Sequence, residues 1–194
     1  MSLHKDPELK KAVLSLPPAE KEKLLVRLVS KDRMLLKQLR FQLLEDETDL
    51  DERITSVHKQ LEQLFERLRG QIRSASEQRN AVHLVGELRY ASGLINEHVT
   101  ITKDKMSDVQ LRLFLVSQSF AHFGRLFGQH PYGHNRKLLE YQSGRLKYIL
   151  GKYAKLHEDL QFEFRDELNT ALAFAHASGM ASYMQALDLP KEID

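Results

Sequence analysis

Six residues between positions 137 and 155 have the types and the spacing to hold an anion: Lys137, Tyr141, Arg145, Tyr148, Lys152 and Lys155, in steps of 4, 4, 3, 4 and 3. At about 100 degrees per residue they fall within an arc of about 80 degrees on one helix. Cations neutralise phosphates or carboxylates, and tyrosine rings stack on bases or fill protein interfaces, so this face is a candidate for a protein partner or a polyanion. Leu139, Leu146, Ile149, Leu150, Tyr153 and Leu156 occupy the adjacent arc, at roughly 100 to 220 degrees, which predicts a buried side next to a partly or wholly exposed stripe. Residues 136 to 155 carry six basic side chains against the single acid Glu140, whereas the segment after Leu156 carries eight acids against two bases. Three readings follow: pairing of the stripe with those C-terminal acids, a protein partner, or nucleic acid or another polyanion.

The nine histidines are the other residues with chemistry to offer. A ferritin-like di-metal bundle requires Glu-x-x-His, and no histidine here has an acid three positions before it. The one His-x-x-x-His spacing, His130 with His134, is interrupted by Pro131 and Gly133, so the two are not on adjacent helical turns. A loop there, joined by His122 or His157, is the metal reading, and surface histidines are the default. His58 with Glu62, His83 with Glu87, and Asp159, Glu163 and Glu167 at spacings of four read as solvated helical pairs. No phosphate loop, nucleophile elbow or serine-histidine-aspartate pattern is present, so no residue is assigned a catalytic role and no cofactor is expected.

Composition narrows the classes further. The 194 residues allow one main core with a small appendage. With no cysteine the chain can form no disulfide or thiolate metal site, which fits a cytoplasmic protein. A net charge of +2 from 29 basic and 27 acidic residues gives no whole-molecule field for nucleic acid, so any such binding must be local. No apolar run reaches membrane-span length, and no membrane association is expected.

The elements that would position the stripe read as helices throughout. Asp6-Pro7 and Pro17-Pro18 open two short helices, and Ser30 to Asp32 connects the second to a third. Leu24, Leu25, Leu28 and Val29 face Leu35, Leu36, Leu39, Leu43 and Leu44 in this hairpin. Arg33, Lys37 and Arg40 share a face of its second helix, a weak likeness to a helix-turn-helix. Six acids in positions 45 to 52 mark a boundary after a stretch, 10 to 40, with nine basic and three acidic residues. They also suit the start of the next helix, where Thr48 and Asp51 could form a capping box.

That helix carries Leu50, Ile54, Val57, Leu61, Leu64 and Leu68 to about residue 78. Helices follow from about 80 to 98, closed by the β-branched run 99 to 102, and from 104 to about 128, with Phe120, Phe123 and Phe127 as central core. After the break come helices from about 135 to 156 and 158 to 177, and a short one before Pro190. Gly86 with Gly93, and Gly144 with Gly151, are seven residues apart, and we expect them to admit a closely packed neighbouring helix rather than to open a groove.

The expectation is an all-α protein, a multi-helix bundle over 46-194 with a subdomain of three short helices over 1-45. Its expected role is a non-enzymatic interaction module binding a protein partner or itself. Binding of nucleic acid or another polyanion through the 137 to 155 face is the first alternative. Metal-dependent activity around His122, His130 and His134 is the second.

Overall fold

The computed structural model describes residues 5–72, 76–129 and 133–194, and every regular element among them is helical. The chain divides into two compact units, Met1–Asp46 and Glu47–Asp194.

The first unit holds α1 (Pro7–Ser15), α2 (Pro18–Val29) and α3 (Arg33–Leu44). Their starts follow from local chemistry. Asp6 accepts the Leu9 amide at 3.0 Å, Pro18 sits where its missing N–H costs nothing, and Asp32 accepts the Met34 and Leu35 amides at 2.9 and 3.0 Å. Leu24, Val29, Leu35 and Leu39 are half-buried in the α2–α3 hairpin, as their spacing predicts. Leu25, Leu28, Leu36, Leu43 and Leu44, expected to line the same seam, are exposed by 50–78%. Two helices of 12 residues offer each other one stripe, and the wider apolar arc of each wraps beyond it. No residue from 5 to 46 is buried.

The second unit is a bundle of α4 (Glu47–Gln71), α5 (Glu77–Thr102), α6 (Lys105–Phe123), α7 (Arg136–Tyr153), α8 (Glu158–Ala177) and the short α9 (Ala181–Ala186). At its centre lies α6, packed on α4, α5, α7 and α8. Its buried residues therefore surround it, with Leu111 and Leu115 as deep as Val109, Leu113 and Val116. A 3-10 turn, Gly124–Phe127, extends α6 and delivers Phe127, fully buried, against Phe120 with ring centroids 4.9 Å apart. The phenylalanines 120, 123 and 127 are core, as expected.

Several boundaries differ from the sequence expectation for physical reasons. α4 begins at Glu47, so Thr48 lies inside its first turn rather than capping it. It stops at Gln71, and Ser76 caps α5 by accepting the Arg79 amide at 3.4 Å. α5 continues through the β-branched run because Ile101 and Thr102 are buried there, and it ends at Lys103 in a left-handed conformation, φ 57°. Glu87 is held not by His83 but by Arg67 of α4 at 2.6 Å, and His83 meets Gln71 at 3.1 Å.

Polar side chains stitch the core helices together. Gln142 of α7 donates to Ser119 of α6 at 2.6 Å, and His98 Nε2 of α5 lies 2.9 Å from Ser107 Oγ of α6. Burial holds the His98 imidazole below its usual value of 6.5; Arg53 pushes the same way, against Asp104 and Asp108. The folded chain then resists a proton that the unfolded chain accepts. Stability is expected to be full above pH 6.5 and to decline as the pH falls from there to the folded value of His98, by at most about 1.4 kcal/mol per pH unit for this one group. Urea titrations across that window check this, with His98→Gln flattening the decline; an unchanged slope in the variant would assign it elsewhere.

Candidate functional site

The stripe predicted from the sequence lies mostly on α7. Its start is fixed from outside: the buried Asn135 side chain donates to the Leu126 and Gly128 carbonyls at 2.7 and 2.8 Å, tying α7 to the end of the 3-10 turn. Lys137, Tyr141, Arg145, Tyr148 and Lys152 share one helical face, whereas Lys155 falls in the turn after α7 ends at Tyr153. Lys137 and Lys155 are exposed, Tyr141, Arg145 and Lys152 are half-buried, and Tyr148 is 39% exposed.

The middle of this face is engaged with neighbouring helices. Tyr141 Oη donates to the Leu88 carbonyl at 3.2 Å and shares a 2.8 Å hydrogen bond with Ser92 Oγ, both on α5. Its ring carries two guanidinium groups, Arg89 of α5 at 5.7 Å and Arg145 at 5.1 Å from the centroid. Arg145 also lies 5.8 Å from the Tyr148 ring, over which Arg112 of α6 and Lys152 sit at 4.7 and 5.2 Å. Cations and rings thus alternate along the face, each contact contributing on the order of 0.5–1 kcal/mol. The buried Arg145 Nε has no acceptor among the described residues, so the two rings are its main company.

The acid that this face meets is Asp108, through Lys152, rather than the C-terminal segment. One oxygen of Asp108, in the first turn of α6, accepts from Arg112 Nε at 2.6 Å, and the other meets Lys152 Nζ at 3.1 Å. Arg112 also donates to Asn96 of α5 at 2.7 Å. The Asp108 contact, then Tyr148, raises the Lys152 ammonium above its usual value. Among the described residues no ion pair joins the stripe to the acids after Leu156. Those acids lie mostly on the exposed side of α8, so of the three readings of the stripe, pairing with the C-terminal acids is not found among the described residues, and its one ion pair is internal, Lys152 with Asp108.

Above Tyr141, towards the start of α7, a cleft of about 560 Å³ opens between α5 and α7. Arg89, Arg136 and Lys137 stand on its walls with His134, over a floor that includes Val85 and Leu138. Arg136 also pairs with Glu140 at 2.8 Å, which raises its already high pKa. Gly86 lines the same cleft, and a Cβ there would meet nothing within 4 Å. The same holds at Gly93, Gly144 and Gly151, so none of the four admits a closely packed helix; the expected packing role is corrected to open surface. Helical periodicity shows that such glycines share a face, but not whether a helix lies opposite it.

The histidine reading is not gathered by the fold. His122 rests against Phe65, 5.9 Å between ring centroids, in a cleft with Arg69 and Arg125. Lost hydration, then the Arg69 charge, lowers its pKa. His134 lines the separate α5–α7 cleft, and His130 lies outside the described residues. His157 caps α8 and meets Asp159 at 3.2 Å. Among the described residues no three histidine or carboxylate side chains group as metal ligands. On α3, Arg33, Lys37 and Arg40 are exposed, with Arg40 3.6 Å from Glu45. No helix among the described residues is long and apolar enough to cross a membrane.

Sequence reasoning found the α7 face but missed Arg89 and Arg112, which reach it from two other helices. No protein-family model, curated protein or solved structure matches this chain.

Proposed function

We propose that this chain is a non-enzymatic interaction module, which binds a protein partner or a second copy of itself through the apolar faces of α1, α2 and α3. The supporting observation is the burial pattern of the first unit, where no residue from 5 to 46 is buried and Leu25, Val26, Leu28, Leu36, Leu43 and Leu44 are each at least 50% exposed. Six large apolar side chains exposed within 20 residues exceed the scattered single exposures that are ordinary on a surface, and support a contact face. Helices of 9, 12 and 12 residues are too short to be stable alone in water, so a covering surface must supply what their own packing does not. The nine basic and three acidic residues between 10 and 40 favour a cover with an acidic rim.

Hydrogen exchange of amides 7 to 44 tests the reading, measured over a concentration series beside sedimentation of the full chain. Weak protection in the dilute monomer, rising as the chain associates or as a partner is added, is expected. The variant Leu25→Glu, Leu28→Glu, Leu36→Glu should abolish that rise and leave α6 unchanged. Amides of 7 to 44 protected as strongly as those of α6 in the dilute monomer would show that the helices need no cover, and would remove the proposal.

A further inference from the structure

We propose that the cleft between α5 and the start of α7 is a binding site for a nucleoside phosphate. This goes beyond the interaction face of the first unit, since it uses other residues and another class of ligand.

Three features of the cleft point to that chemistry. Its volume, about 560 Å³, falls within the range of small-molecule sites. Its lining charges are of one sign among the described residues: Arg89 comes from α5 and Arg136 and Lys137 come from α7, with the one neighbouring carboxylate, Glu140, paired to Arg136 from outside the lining. Cations from two rigid helices converge on a volume between them, and arginine forks match phosphate oxygens in pairs. Arg89 is held over the Tyr141 ring at 5.7 Å and Arg136 by Glu140 at 2.8 Å, so both heads have a preferred place instead of sweeping through solvent. The apolar part of the lining is Ala81, Val85 and Leu138, all buried, with the 60% exposed Val82 beside them. An inorganic anion would use the cations alone; a phosphate carrying an organic body, as a nucleoside phosphate does, uses the apolar lining as well.

Gly86 is what keeps the space open. A glycine in the middle of a 26-residue helix costs about 1 kcal/mol relative to alanine, and no neighbour within 4 Å requires its lack of a side chain. Any larger residue there would project into the cleft. The position therefore separates occupancy of the cleft from the integrity of the fold.

Calorimetric titration of the full chain with ATP, ADP and AMP, at about 0.15 M ionic strength, tests the site. Inorganic pyrophosphate and a short polyuridylate serve as comparison probes. Saturable single-site binding of at least one nucleotide, tighter than pyrophosphate, is expected. Gly86→Leu should weaken it by at least about tenfold while the thermal melt stays the same or rises. Lys137→Glu should weaken it by a similar factor, and Lys155→Glu, outside the cleft, should change it by less than about twofold. Four results would each overturn the proposal: no saturable nucleotide binding; binding that survives Gly86→Leu; equal loss from Lys137→Glu and Lys155→Glu, the mark of a diffuse basic surface; or binding of polyuridylate alone. None of them bears on hydrogen exchange in 7 to 44, so failure here leaves the interaction reading to its own test.

Discussion

Replacing Asp108 by alanine is expected to lower the stability of the 47–194 unit by about 3–5 kcal/mol, the range found when one partner of a buried ion pair is removed. The Asp108 and Arg112 side chains are 1% and 5% exposed and meet at 2.6 Å. Without the carboxylate, the guanidinium keeps Asn96 and the Tyr148 ring as its partners among the described residues, neither of which carries a compensating charge. Lys152, with its side chain 37% exposed, can turn to water, so its loss adds little. For a unit of this size the melting temperature should fall by roughly 6–20 °C, read by calorimetry. Converting both Asp108 and Arg112 to leucine should recover most of the loss, because an apolar pair leaves no unbalanced charge. A single variant that melts within a degree or so of the parent would show that the pair is not structural.

The second large effect is expected at Gly179, between α8 and α9. Its amide donates to the Phe127 carbonyl at 2.8 Å, and a Cβ there would stand 2.7 Å from the Gly128 oxygen and 2.8 Å from the Phe127 oxygen. Both obstacles are backbone, so no side chain can swing aside. Relief must come from parting the 178–180 turn from the 3-10 turn that delivers Phe127 into the core. Gly179→Ala should therefore cost about 1–3 kcal/mol or more in denaturant unfolding. Gly93→Ala should move the other way, gaining up to about 1 kcal/mol, because its Cβ meets nothing within 4 Å. Equal shifts at the two sites would mean that helix propensity, not the close approach, decides both.

These two sites also show where sequence reasoning stops. Leucines at steps of three and four declare helices, and Val57, Leu61, Leu64 and Leu68 are indeed the buried line of α4. Asp6 and Asp32 declare helix starts, because capping is a local hydrogen bond between residues two or three apart, and Pro18 declares another through its fixed φ and missing N–H. The partner of a face is not local. Asp108 reads as an ordinary first-turn acid favouring the positive end of its own helix, and its pairing with Lys152, 44 positions on, depends on how α6 and α7 cross. The eight acids after Leu156 were nearer in sequence and more numerous, yet they lie mostly on the outer side of α8. Gly179 and Gly86 look alike as letters. One is required by a carbonyl brought up from 51 residues earlier, the other is required by nothing the fold contains.

The bare apolar faces of α1, α2 and α3 carry a consequence for how this protein responds to its surroundings. Where the cover of a segment comes from another molecule, the order of that segment obeys mass action. A partner at a hundred times its dissociation constant adds about 2.7 kcal/mol to the ordered form, and dilution withdraws it. The bundle of 47–194 carries its own core and does not share this dependence. One chain would then hold a part whose structure is constant and a part whose structure reports the abundance of whatever it meets.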